Sequence, residues 1–432
     1  MSRLDVVVFG ATGFTGRHAV EHLVRIAGQR GLTWAVAGRS REKLLTLLKD
    51  ISDKTDKDLS STQVLVADVQ DEQSLRSMCS QAKVLVNCCG PYALWGEPVV
   101  QAAIQSRTHY VDVSGEPNFI ELMHLKYDAV AREAGVYVVS ACGFESIPVD
   151  LGVVFLQQNF GGVLNSVECY MSPTGQAQTQ CVNFGTWHSL VNSLPHFFGT
   201  SAISKKTFSK PLPTFTPKLK SRLPLHKRQN GWCLPFPSYD CTAVYRTQRY
   251  FYERDGTRPA QFNNYVKFDS FFNTLAVGIA IVFIFLLSQF KFTRKILLEK
   301  ASVFSLGMIT NEPSESVIKN TGVEFTFYGQ GWDASDAANV DAIPPRKTVI
   351  AKGRRDEPWR GLRQDQSAEE SPRQRGKLPN CTYKTSSRLK CYNVNSNCIL
   401  LISSAHKITG IRYSYNIIVI TLIKCNINLV LR

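Results

Sequence analysis

Residues 4–16, LDVVVFGATGFTG, decide the fold of the N-terminal part of this chain. The run from residue 4 to residue 9 is β-branched and apolar and ends at a glycine, which predicts a strand buried in a parallel sheet. Residues 14–28 then repeat apolar side chains with the period of a helix. A strand, a glycine loop and a helix in this order predict a Rossmann-type unit, in which the first helical N–H groups meet the phosphates of a dinucleotide.

The rest of residues 1–150 alternates strand and helix patterns. Apolar or β-branched runs predict strands at 32–37, 64–66, 84–86, 110–113 and 136–139. Helical patterns lie between them, including 98–105 and 119–134. Such alternation predicts βαβ units and an α/β fold with a doubly wound parallel sheet. We therefore expect a dinucleotide-binding domain over residues 1–150.

The glycine loop supplies the first predicted binding residues. Gly10 permits a tight turn, Gly13 lets the backbone approach a diphosphate, and Gly16 allows the helix to pack closely on the strand. The spacing is G-x-x-G-x-x-G rather than G-x-G-x-x-G, so a tight turn without a ligand remains an alternative. The loop residues expected to contact the cofactor are Gly10, Thr12, Gly13, Phe14, Thr15 and Gly16.

The residues after the second and third strands bear on the choice of cofactor. An NAD site would place Asp or Glu after the second strand, to bind the ribose 2′-hydroxyl. This chain has Arg39 and Ser40 there, and a guanidinium can pair with a phosphate, so NADPH is favoured over NAD. A solvated surface arginine is the alternative. Asp68 is placed to flank the adenine, and an ordinary loop aspartate is an equal alternative.

The later strand ends are expected to surround the nicotinamide. Gly90 and Pro91 follow one strand, and Tyr92 beside them could donate a proton to a reaction product. The alternative for Tyr92 is a packing aromatic with a satisfied hydroxyl. Asp112 and Glu116 could orient the substrate or the ribose, and capping of the following helix is an alternative for them. No catalytic triad is visible.

Charge and cysteine usage narrow the class of protein. The chain has a net charge of +15, yet residues 1–150 hold 15 Lys and Arg against 18 Asp and Glu. The positive charge therefore lies beyond residue 150, and it favours an anionic membrane surface over nucleic acid as a partner. The 12 cysteines contain no Cys-x-x-Cys pair. This pattern predicts reduced thiols in an intracellular protein, with no metal site.

Residues 271–287, FFNTLAVGIAIVFIFLL, are the most apolar run in the chain. A helix of this length would extend about 25 Å, against roughly 30 Å of hydrocarbon in a bilayer, so a complete span is marginal. Lys291, Arg294 and Lys295 follow at once, and cations there suit anionic headgroups. We expect insertion into one leaflet of a membrane or into a lipid-droplet monolayer. A buried helix of a second domain or a homodimer contact is the alternative.

Several motifs together resemble the saccharopine dehydrogenase-like oxidoreductases, a family similar to bacterial trans-acting enoyl reductases of lipid and glycolipid synthesis. The resemblance covers residues 1–331. It implies a second, α+β domain with an antiparallel sheet at 151–331, and association with lipid droplets or with organelle membranes, such as those of the mitochondrion. It does not imply that saccharopine is the substrate. The motifs are residues 10–16, 37–40, 87–92, 110–116, 142–150 and 325–331.

The C-terminal residues 332–432 depart from the family pattern. Residues 345–391 are rich in Arg, Lys, Ser, Gln and Pro, a composition that buries too little apolar surface to order itself. We therefore expect a disordered, atypical tail after residue 331.

Two functions remain open from the sequence. The first is an NADPH-dependent oxidoreductase that acts on a lipid-like substrate at the cytosolic face of a membrane or lipid droplet. The alternative is a non-catalytic NAD(P)-binding sensor or scaffold.

Overall fold

The computed structural model describes residues 2–144, 146–174, 182–208, 210–236, 239–305, 307–310, 317, 322–354 and 357–364. Its N-terminal domain contains a parallel sheet in the strand order β3-β2-β1-β4-β5-β6. The strands are β1 (Leu4–Phe9), β2 (Trp34–Gly38), β3 (Gln63–Val66), β4 (Ala82–Asn87), β5 (His109–Asp112) and β6 (Val138–Val139). The helices that connect them are α1 (Phe14–Arg30), α2 (Arg41–Thr55), α3 (Glu72–Ser80), α4 (Tyr92–Gln105) and α5 (Pro117–Ala134). The predicted Rossmann-type fold is confirmed.

Strand β1 lies at the centre of this sheet and is buried on both faces. Val6 and Val8 join a cluster with α1 and α2, whereas Val7 and Phe9 join a cluster with α3, α4 and α5. Successive side chains of a strand point to opposite faces. The apolar run at residues 4–9 is therefore divided between two layers of helices.

Helix α4 begins at Tyr92, six residues before the predicted start at residue 98. The backbone N–H groups of Tyr92 and Ala93 both donate to the carboxylate of Glu116, at 2.8 Å each. Pro98 consequently lies inside the helix rather than at its beginning. Because the cap comes from the loop after β5, the local sequence around the helix carries no sign of it.

The second domain is built on a mixed sheet in the order β15-β14-β13-β7-β11-β10-β9. Its strands pair antiparallel except for the parallel neighbours β7 and β11, so the expected antiparallel sheet is in fact mixed. The strands are β7 (Gly162–Thr174), β9 (His226–Arg228), β10 (Gly231–Pro235), β11 (Gln261–Phe268), β13 (Gly322–Asp333), β14 (Lys347–Arg354) and β15 (Glu357–Gln364). A separate small sheet pairs β8 (Val182–Asn183) with β12 (Ile309–Thr310).

Helices of the second domain cover the mixed sheet and reach back to the first domain. The α-helices are α6 (Ser146–Asn159), α7 (Phe184–Ser193), α8 (Thr200–Thr207), α9 (Asp240–Asp255), α10 (Phe271–Ser288), α11 (Lys291–Glu299) and α12 (Ala301–Phe304). Two 3-10 helices, Leu194–Gly199 and Ala334–Asn339, complete the described elements. Apolar side chains of α6 pack against β7 and β13 in the core of this domain.

The mixed sheet continues past residue 331, where the sequence analysis places the end of the second domain. β13 runs to Asp333, and β14 pairs with it from Gly331 to Glu324. Trp332 is buried, and its indole N–H donates to the carbonyl of Ile343 at 2.8 Å. The boundary is therefore later than predicted, because a returning strand covers β13. Residues 365–432, most of the predicted tail, lie outside the described residues.

Helix α10 contains the apolar run and is long and apolar enough, by length and composition, to cross a membrane. Only 11% of its residues are buried, a value that contradicts the alternative of a buried core helix. It rests on the second domain through its first turn, where the Phe271 and Trp232 rings lie 4.8 Å apart, and through Phe285, whose ring lies 5.7 Å from that of Phe198.

Candidate functional site

The turn after β1 leaves room for glycine alone at position 10. The N–H groups of Gly10 and Ala11 donate to the carbonyl of Ala37, at 3.0 and 3.2 Å, which fixes the turn against β2. Gly10 has φ +76°, and a Cβ atom there would lie 2.7 Å from the Cys89 sulfur. L-residues rarely adopt this conformation. Both the backbone conformation and the contact with Cys89 therefore require glycine.

The start of helix α1 is closely packed on one side and open on the other. A Cβ atom on Gly16 would lie 2.1 Å from the carbonyl oxygen of Gly10, so the helix packs directly on the turn. Gly13 is the N-cap, and among the described residues no side chain caps this end. Thr12 and Gly13 are exposed. The uncapped N–H groups with an open approach form a site that suits a phosphate.

Phe14 and Thr15 begin the first turn of α1. Both are partly exposed, and the Phe14 ring lies edge-on to the His18 ring at 4.9 Å. All six predicted loop residues thus lie together at the open end of α1.

Arg39 and Asp68 lie at the same edge of the sheet as the glycine loop. Burial raises the pKa of the Cys89 thiol to about 12, while the charge of Arg39 opposes this shift and that of Asp68 adds to it. Because β1, β2 and β3 are parallel neighbours, the residues that follow their ends lie at one edge of the sheet, and Gly10 is among them. Arg39 is exposed and can turn toward a bound anion.

Ser40 and Asp68 also have local structural roles. The Ser40 hydroxyl accepts from the N–H of Lys43 at 3.3 Å and caps α2. The Asp68 carboxylate accepts from the N–H of Gln70 at 3.0 Å. This bond is typical of a loop aspartate, one of the two alternatives for this residue.

Tyr92 is a buried packing residue in this structure. Its hydroxyl donates to the carbonyl of Asn87 at 3.0 Å, and its ring lies 5.8 Å from that of Phe119. Burial, with the charge of Asp112 as the second cause, raises the pKa of Tyr92 well above its usual value. The geometry matches the alternative of a packing aromatic. It gives no support to proton donation by Tyr92.

The Glu116 side chain links the loop after β5 to the start of α4 and to helix α7. Its carboxylate accepts from the N–H groups of Tyr92 and Ala93, and the hydroxyl of Ser189 on α7 also donates to it. Burial raises the pKa of Glu116, and these hydrogen bonds oppose the shift. The expected capping of the following helix α5 is therefore wrong, since the Glu116 side chain caps the preceding helix α4 instead.

Asp112 holds the loops after β5 and β6. One carboxylate oxygen accepts from the hydroxyls of Tyr110 and Ser140, both at 2.9 Å. The other accepts from the N–H groups of Ser114 and Ala141, at 2.9 and 3.2 Å. Burial raises the pKa of Asp112 to about 6. With its oxygens engaged in this way, the buried Asp112 side chain holds these loops in place and is not presented to solvent.

Helix α7 is the part of the site that sequence reasoning missed. A Cβ atom on Gly90 would lie 3.6 Å from the Ser189 hydroxyl oxygen, so the second domain closes over the loop that follows β4. Gly90 itself is exposed, and Pro91 beside it is buried. Residues 184–193 carry a helical pattern, but nothing local indicates that they pack on the first domain.

Comparison with known proteins agrees with this geometry. Residues 6–139 match the family described as saccharopine dehydrogenase NADP binding domain. The chain is 41% identical to a lipid droplet localized protein of Caenorhabditis elegans, over 77% of this chain and 80% of that protein. It is 36% identical to the saccharopine dehydrogenase-like oxidoreductase of Bos taurus, over 76% and 78%. A shorter match, 34% identical over 38% of this chain and 39% of the relative, is to a Mycobacterium tuberculosis protein whose name places it among trans-acting enoyl reductases.

Proposed function

The chain belongs to the saccharopine dehydrogenase-like oxidoreductase family and carries its NADP-binding domain, and from this premise we propose that it is an NADPH-dependent oxidoreductase that acts on a lipid-like substrate. The reaction takes place at the surface of a lipid droplet or an organelle membrane, such as that of the mitochondrion, on the cytosolic face. The substrate is an enoyl or carbonyl lipid.

The observation that carries this proposal is the open N-terminus of α1 against the Gly10 turn. The first-turn N–H groups hold the diphosphate, and Gly13 leaves room for it. Arg39 pairs with the 2′-phosphate of the ribose, as its exposed position at the end of β2, next to the glycine loop, permits. When bound, NADPH supplies the hydride. Asp112 and Glu116 fix the loops around the nicotinamide, and α7 shields that end from water.

The exposed apolar face of α10 supports the membrane part of the proposal. Phe272 and Ile279 are 77% and 62% exposed. Exposure of these apolar side chains to water is unfavourable, and contact with lipid removes that cost. Lys291 and Lys295 follow the helix and suit anionic headgroups. A relative named for lipid droplets agrees with this assignment. A second copy of the chain on the same face, as a homodimer, is the competing occupant.

The test measures NADPH binding and NADPH oxidation with the same preparation. The full chain is titrated with NADPH by calorimetry, and NADPH absorbance is then followed with enoyl and carbonyl lipids presented in phosphatidylcholine vesicles. We expect saturable binding and oxidation with at least one lipid. Absence of binding would overturn the proposal as a whole.

A second function, that of a non-catalytic NAD(P)-binding sensor or scaffold, is favoured by one specific observation. The hydroxyl of Tyr92, the proton donor expected from the sequence, donates instead to the carbonyl of Asn87. Tight NADPH binding without oxidation of any lipid in the panel would favour this alternative.

A further inference from the structure

Helix α7 is fixed on one side to the helices that carry the apolar surface. Trp187 and Val191 lie one turn apart on α7 and are both buried. They pack with Leu297 and Ala301 in one cluster, and the Trp187 indole N–H donates to the carbonyl of Leu297 at 3.0 Å. This side of α7 therefore belongs to the layer formed by α10 and α11.

The opposite side of α7 faces the cofactor loop. At about 100° per residue, Ser189 lies on the other side of the helix from Trp187, and its hydroxyl donates to Glu116 close to Gly90. An α-helix is about 10 Å across with its side chains. The loop around the nicotinamide is thus separated from the α10–α11 layer by the width of one helix.

Exposed apolar side chains lie on α7 and on the 3-10 helix that follows it. Leu190 follows Ser189, and Phe197 and Phe198 lie on the 3-10 helix that continues α7. The Phe197 and Phe198 rings are 5.5 Å apart, and Phe198 lies 5.7 Å from Phe285 on α10. Phe198 is 77% exposed. We name Leu190, Phe197 and Phe198 the apolar track. Phe198 lies at its α10 end, and Leu190 is the neighbour of Ser189.

The segment of chain that carries the track has positively charged side chains and no negatively charged ones. Residues 169–239 contain no Asp or Glu. Lys205 and Lys206 are exposed on α8, directly after the 3-10 helix, and Lys291 is exposed at the start of α11. Such a surface attracts anionic headgroups next to an apolar phase.

We propose that the substrate is a membrane-resident lipid with an anionic headgroup, whose acyl chain lies on the apolar track while its reacting group passes over α7 to Gly90. This inference rests on the proposed function and adds the route and the headgroup charge. The lipid stays in contact with its membrane throughout, because the cofactor loop lies only one helix width from the lipid-facing layer.

Photo-crosslinking of the full chain with NADPH on phosphatidylcholine vesicles tests the route. Two phosphatidylglycerol probes are used, one with a diazirine at the methyl end of an acyl chain and one with a diazirine beside the ester carbonyl. We expect the methyl-end probe to label α10 and residues 190–198, and the carbonyl-side probe to label residues 90–94. Labelling of α10 without labelling of 90–94 by either probe would overturn the inference and leave the proposed function standing. Absence of labelling on α10 as well would overturn the proposed membrane contact too.

A variant pair controls for general exposure of the surface. The double variant Leu190→Ser/Phe198→Ser should lose labelling at 90–94 and keep labelling of α10. Phe290→Ser changes another exposed aromatic, at the start of α11, and should keep both. An unchanged NADPH affinity in the double variant shows that it folds. Retained labelling at 90–94 in this variant would contradict the track.

Discussion

Arg246 of α9 and Glu121 of α5 form an ion pair between the two domains, with Nη2 and Oε1 2.9 Å apart and the glutamate side chain fully buried. A second guanidinium nitrogen of Arg246 lies 3.0 Å from Nδ1 of His124. Removal of one partner from such a pair leaves an uncompensated buried charge. Removal of either partner alone should therefore destabilise the protein more than removal of both.

We expect Arg246→Met to destabilise the protein by about 3 kcal/mol, measured by urea unfolding. Arg246→Met/Glu121→Gln should recover part of this loss, because no charge then remains buried. The matched control is Lys126→Met, which breaks the exposed pair with Glu97 and should cost at most about 1 kcal/mol. Equal losses in the buried and exposed variants would contradict the assigned role.

Substitution of Gly10 should weaken cofactor binding by more than backbone strain alone would. Gly10→Ala combines a positive φ with contact against Cys89, and we expect NADPH affinity to fall at least about tenfold, or about 1.4 kcal/mol. Gly31→Ala is the control, since Gly31 also has a positive φ but no atom near its Cβ position. Gly31→Ala should lose about 1–2 kcal/mol of stability through its positive φ, and Gly10→Ala should lose more because of the contact with Cys89. Calorimetric titration should show weaker NADPH binding in Gly10→Ala alone.

Arg39 predicts the preference between the two nicotinamide cofactors. We expect Arg39→Ala to weaken NADPH binding by about 1.5–3 kcal/mol, the range for a hydrogen bond to a charged group, and to leave NADH binding unchanged. Arg41→Ala, an exposed neighbour at the start of α2, should change neither affinity. An equal loss for NADPH and NADH in Arg39→Ala would show that the guanidinium does not contact the 2′-phosphate.

Asp150 predicts a pH dependence of stability. Burial raises the pKa of Asp150 to about 7, and the bond from the Thr247 hydroxyl opposes the shift. The folded state then binds this proton more tightly than the unfolded state. Stability should therefore fall as the pH rises from the usual aspartate range toward 7, by up to about 1.4 kcal/mol per pH unit.

The variant Asp150→Asn removes this titration and keeps an acceptor for Thr247. Urea unfolding between pH 4 and pH 8 should show a flatter profile for the variant and greater stability at the upper end. Identical profiles for the variant and the natural chain would mean that another group titrates in this range.

The exposed face of α10 predicts membrane attachment. Ile279→Lys should abolish flotation with phosphatidylcholine vesicles containing phosphatidylserine, because a cation placed on this face is costly in lipid. Leu45→Lys, a similar change at an exposed leucine of α2, should float like the natural chain. Flotation of Ile279→Lys at the natural level would argue that α10 meets a protein instead. Light scattering would then reveal whether that protein is a second copy.

The sequence predicts the first domain well because its signals are local. β1 is found at its predicted bounds, and the glycines at 10 and 16 have the close contacts that their spacing implies. The start of α4 and the partner of Glu116 are missed, because both depend on a carboxylate that comes from a distant loop. The same reason hides Ser189, whose neighbours Glu116 and Gly90 lie 73 and 99 residues earlier in the chain.

Composition misleads at the C-terminal side of the second domain. Residues 347–354 look polar, yet Val349 and Ala351 alternate inward and are buried against the core. Two apolar residues suffice because β13 already supplies a paired neighbour. A period-2 pattern this short is easily lost among basic residues.

The buried indole of Trp332 has a practical consequence for shortened forms of the chain. A product that stopped at residue 331 would lack this side chain and the whole of β14, and β13 would present a long row of unpaired backbone groups to solvent. Such edges template intermolecular association. A truncation at residue 331 should therefore yield insoluble material.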